Sequence, residues 1–218
     1  MAHFVDLSHW IEAGMTTYTG LPGPKISDYL SREDSRKHYS EGTTFQIGKI
    51  EMLANTGTYI DAPFHRYERG ADLSAIALSS IANVSGLVCC ADPEMRTISQ
   101  DLFKGRDLHG KAILVHTGWD KHWRTEAYFE NHPFLTRTAA EYLTSSGVTL
   151  VGIDSLNIDD TADGSRPVHT ILLGANIPIV EHMCNLGALP LSGFKVFAVP
   201  APVKGMGSFP VRAFAIID

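Results

Sequence analysis

The chain has 218 residues, 44% of them hydrophobic, and a formal net charge of −6 at neutral pH, with a pI near 5.9. That suffices for one substantial core, so a single domain over residues 1–218 is expected. The acidic balance argues against nucleic acid and anionic membrane as partners. No apolar stretch approaches the ~20 residues of a membrane span, and Met1-Ala-His-Phe-Val-Asp-Leu-Ser lacks a leader pattern.

Residues 14–43 hold Gly14, Gly20, Pro22, Gly23 and Pro24, then the charged stretch Ser31–Lys37. They are predicted to be irregular, either a functional loop such as a lid or subunit contact, or a surface excursion. Phe45–Leu53 alternates in part and reads as a strand. Leu73–Ile81 is a helix candidate. Val84–Cys90, Ala112–His116, Val148–Ile153, Lys195–Val199 and Val211–Ile217 are short runs rich in β-formers. Most are apolar on both parities, which predicts burial on both faces. Thr136–Ser146 reads as a helix with a Thr138-x-x-Glu141 capping box and a stop at Gly147. The mixture predicts an α/β domain with more strand than helix.

Cysteine is limited to Cys89, Cys90 and Cys184, an odd count without framework spacing. A reducing, cytoplasmic setting is expected. Cys89 and Cys90 should alternate in a strand, with burial favoured over a thiolate site.

The densest chemistry lies in Asn55-Thr-Gly-Thr-Tyr-Ile-Asp-Ala-Pro-Phe-His65. Gly57 suits a tight turn, and Ala62 before Pro63 is pushed into an extended exit. Such a bend can aim Asn55, Tyr59, Asp61 and His65 at one point. A carboxylate with an imidazole suits proton transfer or metal binding; a turn carboxylate beside a surface histidine is the plain alternative. A second constellation runs from Arg166 to Gly187. His169 precedes an apolar turn, and Glu181 directly follows the run Ile177–Val180. A carboxylate ending a buried strand needs a partner.

These blocks resemble the cyclase family that includes bacterial kynurenine formamidase and isatin hydrolase. The family hallmark is His-x-Gly-Thr-His-x-Asp-x-Pro-x-His, which stands here as Asn55 to His65. The likeness continues through Asp6–His9, Gly14–Tyr18, Thr117–Trp119, Gly152–Ser155, His169–Glu181 and Pro210–Ala213. It implies a single α/β domain of mixed β-sheets in a swivelling, barrel-like β/β/α arrangement with peripheral helices. It also implies a homodimer or homotetramer joined through N-terminal segments, with the 14–43 loop touching a second subunit. In metal-bearing relatives, both early hallmark histidines and the Asp bind Zn²⁺ or Mn²⁺. The last hallmark histidine is the general acid/base.

This chain keeps Asp61, His65, His169 and Glu181 but has Asn55 and Tyr59 at the first two ligand positions. An Asn carbonyl and a neutral phenol are poor substitutes for imidazole. Three readings follow. The leading one is an enzyme with a degenerate or absent metal site, working at a carbonyl of an aromatic or cyclic small molecule by hydrolysis or by ring-forming or ring-opening chemistry. In it, His65 is the general acid/base, Asp61 orients it, and Asn55 and Tyr59 are donors to the substrate oxygen. The second is a Zn- or Mn-dependent amidohydrolase, such as an arylformamidase, using Asp61, His169 and Glu181. The third is an inert member that binds a ligand or partner. Efficient N-formylkynurenine hydrolysis is not expected with two ligands missing.

Tyr18, Trp119, Trp123 and Phe209 are candidates to line an aromatic pocket, with core packing as the alternative. Arg166 either binds a substrate carboxylate or tethers its loop. Asp159, Asp160 and Asp163 read as solvated turn residues. His116, His122, His132 and His182 have no evident partners in the sequence.

Overall fold

The computed structural model describes residues 2–217. The chain runs β1 (His3–Asp6), β2 (Lys25–Leu30), α1 (Arg32–Ser35), β3 (Ile47–Glu51), β4 (Tyr59–Asp61), α2 (Leu78–Ile81), β5 (Val84–Cys90), β6 (Thr97–Ile98), β7 (Ala112–His116), β8 (Phe134–Leu135), α3 (Arg137–Ser145), β9 (Leu150–Ile153), α4 (Pro167–Gly174), β10 (Ile179–Glu181), β11 (Ser192–Phe197), β12 (Ser208–Pro210) and β13 (Phe214–Ile217). Among the described residues, nine strands form one sheet in the order β1-β13-β11-β5-β7-β9-β10-β4-β12. Its β5-β7-β9-β10 centre is parallel and its flanks are antiparallel. The sheet curls on itself. Leu7 N–H donates to Ala213 O, and Cys184 N–H donates to Leu7 O. The run leaving β1 therefore meets the run leaving β10, which gives the expected barrel-like arrangement.

The central strands are apolar on both faces because each face meets its own core. Val88, Leu114, Leu150 and Val180 point into one, closed by Leu7, Phe194, Val196 and Ala215. Cys89, Ile113, Val115, Val151 and Ile179 point into the other, beneath Ala139, Ala140 and Leu143 of α3 and Val168, Leu172 and Leu173 of α4. Each fully buried aliphatic side chain contributes about 1.5–3 kcal/mol, so this doubled burial fixes the parallel centre from which the site projects.

Several sequence expectations shift. The 14–43 region is not wholly irregular: β2 and α1 lie inside it, and β2 pairs with β3 in a separate two-stranded ribbon. The ribbon leaves Ile26, Tyr29, Ile47 and Ile50 exposed. The cap of α3 is Thr136, whose hydroxyl accepts from Ala139 N–H, rather than the Thr138 box. Leu73–Ile81 shortens to the four residues of α2. The strand expected at 195–199 lies at Ser192–Phe197, and that expected at 211–217 begins at Phe214. The apolar turn after His169 is the full helix α4. Among the described residues, no helix is long and apolar enough to cross a membrane.

Candidate active site

β4 sits between β10 and β12, and its register builds the site. Asp61 faces Ser208 on β12, and Tyr59 faces Glu181 on β10. Side chains alternate along a strand, so positions 59 and 61 share a face with these partners. Asp61, Tyr59 and Glu181 are buried to 1% exposure or less. After β4 the chain bends as expected. Ala62 is extended, and Pro63–His65 form one 3₁₀ turn with proline at its start. Gly207 allows the approach of β12, since a Cβ there would lie 2.4 Å from His65 N. Only glycine lets the two backbones meet this closely.

His65 Nδ1 lies 2.9 Å from Ser208 Oγ, and the Ser208 hydroxyl donates to Asp61 Oδ1. A serine has one proton to give. With that proton directed at Asp61, Ser208 accepts from His65 Nδ1–H, and the neutral ring then presents Nε2 as its free acceptor. His65 is more than one-third exposed and is the accessible member of the group.

His169 is the third residue of α4. Asp159 anchors it three times: its carboxylate accepts from Val168 N–H at 2.7 Å, His169 N–H at 3.0 Å and His169 Nδ1 at 2.7 Å. Asp159 is therefore a buried carboxylate capping α4, not the solvated turn residue expected. His169 Nε2 then faces Asp61 Oδ2 at 3.5 Å and Glu181 Oε1 at 3.6 Å. Burial alone would lower the His169 pKa, but the Glu181 charge, the Asp159 hydrogen bond and Asp61 together raise it to about 10. Three buried carboxylates around one imidazole make this a point that favours positive charge.

Glu181 is the best-satisfied of the three. Oε1 accepts from Ile158 N–H at 2.6 Å, and Oε2 accepts from Tyr59 and from Asn157 Nδ2 at 3.2 Å. Tyr18 Oη lies 2.7 Å from Tyr59 Oη and 3.3 Å from Glu181 Oε2. Burial, then the Glu181 charge, pushes both phenols well above their ordinary range, so both keep their protons. The Tyr59 hydroxyl is thus committed to Glu181 and Tyr18 and is not a spare donor to substrate. Both Glu181 oxygens accept hydrogen bonds from the scaffold, and Glu181 lies outside the group of ligand atoms that gathers around Asp61.

The remaining residues fit a cation better. Asp61 Oδ2 is buried with no hydrogen-bond partner. Ligand atoms of Asp61, His65 and His169 lie within 4.8 Å of one another. Two imidazoles and a carboxylate are a chemically suitable donor set for zinc or manganese, and the Asp159 hold on His169 Nδ1 is the usual outer support of a ligating histidine.

These groups open on a cavity of about 400 Å³ that Tyr18, Asn55, Tyr59, His65, Arg166 and His169 line, with Leu21, Leu53, Arg66 and Asn157 at its walls. Arg166 holds a left-handed backbone at φ 46° and reaches Asn157 Oδ1 at 3.2 Å. Such strain in a non-glycine residue costs about 1–3 kcal/mol and gathers at functional sites. Three expected lining residues are elsewhere. Trp119 turns away, its Nε1 donating to Tyr128 O at 3.0 Å. Phe209 alternates out of phase with Ser208 and packs against the core. Trp123 stacks on His9 at 4.0 Å.

Sequence reasoning missed Ser208, Asp159, Asn157 and His182. His182 is buried between Tyr128 and Tyr18, with ring nitrogens 2.9 and 3.2 Å from their hydroxyls. Its pKa is well below the ordinary value because of burial. His132 is buried as well, with Nδ1 3.1 Å from Pro133 O.

Known proteins share this fold. A family model described as "Putative cyclase" matches residues 5–160. The kynurenine formamidase of Geobacillus thermodenitrificans is 28% identical over 215 residues, covering 98% of this chain and 97% of that protein. That of Bacillus cytotoxicus is 27% identical over 213 residues, covering 97% and 96%. Isatin hydrolase A from Ralstonia solanacearum superposes with a TM-score of 0.83 at 23% identity, covering 100% of this chain and 92% of that one. With a match over well beyond half its length, the chain belongs to the putative cyclase family.

Proposed function

We propose that the protein is a hydrolase of a small cyclic or aromatic carbonyl compound, with His65 as its proton carrier. One observation carries this reading: the unpartnered buried Asp61 Oδ2 faces His169 Nε2 beside the Asp61–Ser208–His65 line, at the wall of a cavity sized for a small molecule. Kinship with kynurenine formamidases and the isatin hydrolase fold supports the same reaction class.

His65 Nε2 takes a proton from water and returns it to the leaving nitrogen or oxygen, a role worth about 10²–10⁴-fold in rate. Ser208 and Asp61 hold the tautomer that makes this possible. Asn55 offers an amide N–H to the carbonyl oxygen. Arg166 and Arg66 present guanidinium groups at the cavity wall to an anionic substituent or product carboxylate. Asp61 and His169 are the residues that would hold a divalent ion, zinc or manganese, with His65 in reach. When bound, such an ion would polarise the carbonyl and acidify water.

The exposed apolar ribbon of β2 and β3 supports pairing with a second copy, as a homodimer or homotetramer. Three free thiols suit a cytoplasmic setting.

The test is turnover of isatin and N-formylkynurenine by the purified protein, with and without added manganese or zinc. Ring opening of isatin that His65→Gln lowers at least about 100-fold supports the reading. Absence of turnover on both compounds under all ion conditions contradicts it.

A further inference from the structure

A second group of reactive side chains stands apart from this site, at the carboxyl ends of the parallel strands. Cys90 ends β5, His116 ends β7, and Asp154 follows β9. Cys90 and His116 are partners in the parallel register. Cys90 Sγ lies 3.8 Å from His116 Nδ1, and His116 Nε2 lies 3.9 Å from Asp154 Oδ2. Asp154 is buried and fixed by Thr117 N–H at 2.8 Å, Thr117 Oγ1 at 2.6 Å and Gly118 N–H at 2.9 Å. The imidazole is set from its other side as well. A Cβ on Gly187 would stand 3.1 Å from His116 Cε1, so that glycine leaves the ring its place. Strand alternation buries Cys89 and exposes Cys90.

A thiol becomes a nucleophile when a neighbouring base takes its proton and a third group orients that base. Here the exposed sulfur faces one imidazole nitrogen, and a clamped carboxylate faces the other. The carboxyl ends of parallel strands are also where α/β sheets present groups to ligands. We propose that Cys90 is a nucleophilic thiol activated by His116 and Asp154, a covalent modification site for soft carbon electrophiles. The Cys90 proton passes to His116 Nδ1. The sulfur lone pair forms the S–C bond while the bond to the leaving group breaks, and that electron pair departs with the leaving group. No oxidant or reductant enters. Asp154 stabilises the imidazolium.

Iodoacetamide at neutral pH, followed by peptide mass mapping over time, tests this on the native protein. The S–C bond forms and iodide leaves. Cys90 should be labelled before Cys89 and Cys184, at least about tenfold faster than in His116→Gln, and Cys90→Ser should abolish the early label. An equal rate in wild type and His116→Gln, or an early label that persists in Cys90→Ser, would overturn the proposal. If His116→Gln does not fold, the wild-type rate is set against N-acetylcysteine amide. A faster Cys90 supports the proposal, and an equal or slower one overturns it.

Discussion

Ser208 Oγ lies 2.9 Å from His65 Nδ1 while its own proton goes to Asp61. This contact fixes which His65 nitrogen is free for chemistry. It also joins β12, near the end of the chain, to the bend after β4. Ser208→Ala should lower kcat about 10- to 100-fold with little change in KM, since the lost function is orientation of a proton carrier. It also strips a donor from a buried carboxylate, worth about 1–3 kcal/mol. Steady-state kinetics and urea unfolding measure the two effects separately, and unchanged kcat would refute the orientation role.

Tyr59→Phe removes a hydroxyl that serves Glu181 and Tyr18 rather than the cavity. Stability should fall by about 1–3 kcal/mol, while turnover stays within about threefold. A large loss of kcat at unchanged stability would return Tyr59 to the role of substrate donor.

Stability below neutral pH should carry the signature of His182. Its folded pKa is depressed by burial, so below the unfolded value near 6.5 the unfolded chain binds a proton that the folded chain refuses. The native state therefore loses stability as pH falls through 6.5, by up to about 1.36 kcal/mol per pH unit from this one group. The difference in unfolding free energy between wild type and His182→Gln, measured from pH 7.5 to 5.5, isolates that slope. A difference that does not vary with pH would contradict the burial of a neutral imidazole.

Asn55→His with Tyr59→His restores the hallmark pattern that the family resemblance implies. Imidazole is a far better donor than amide or phenol to zinc or manganese, so the double variant should bind the ion at least about 100-fold more tightly. Ion titration by calorimetry reads the change directly. Unchanged affinity would show that the local backbone no longer aims these positions at the site.

Much of the frame was legible because its signals are local. β5 and β7 match their apolar runs residue for residue, and the bend at Asp61-Ala-Pro follows from proline's constraints. His169 and Glu181 stood out beside their apolar runs, and the resemblance then tied them to the Asn55–His65 segment. Ser208 was not legible: a lone serine carries no pattern, and only the β4–β12 register brings it to Asp61. Asp159 looked like its neighbours Asp160 and Asp163, and what separates them is the start of α4. That helix was itself hidden, since it is apolar on most sides and periodicity does not distinguish it from a strand. Pro167 at its first position was the available signal. Phe209 and Trp119 were assigned to the cavity by residue type, and strand alternation and a local hydrogen bond sent them elsewhere.

Asp61 and His169 would hold one divalent ion, with His65 in reach as the proton carrier and Glu181 hydrogen-bonded into the scaffold. Ion content per chain after equilibrium dialysis against manganese, measured by elemental analysis, tests it most directly. Wild type and Glu181→Gln should each retain about one ion per chain, as expected of a single site, while Asp61→Asn and His169→Ala should lose it. A wild-type protein that binds no ion, or a Glu181→Gln protein that alone loses it, would contradict the account.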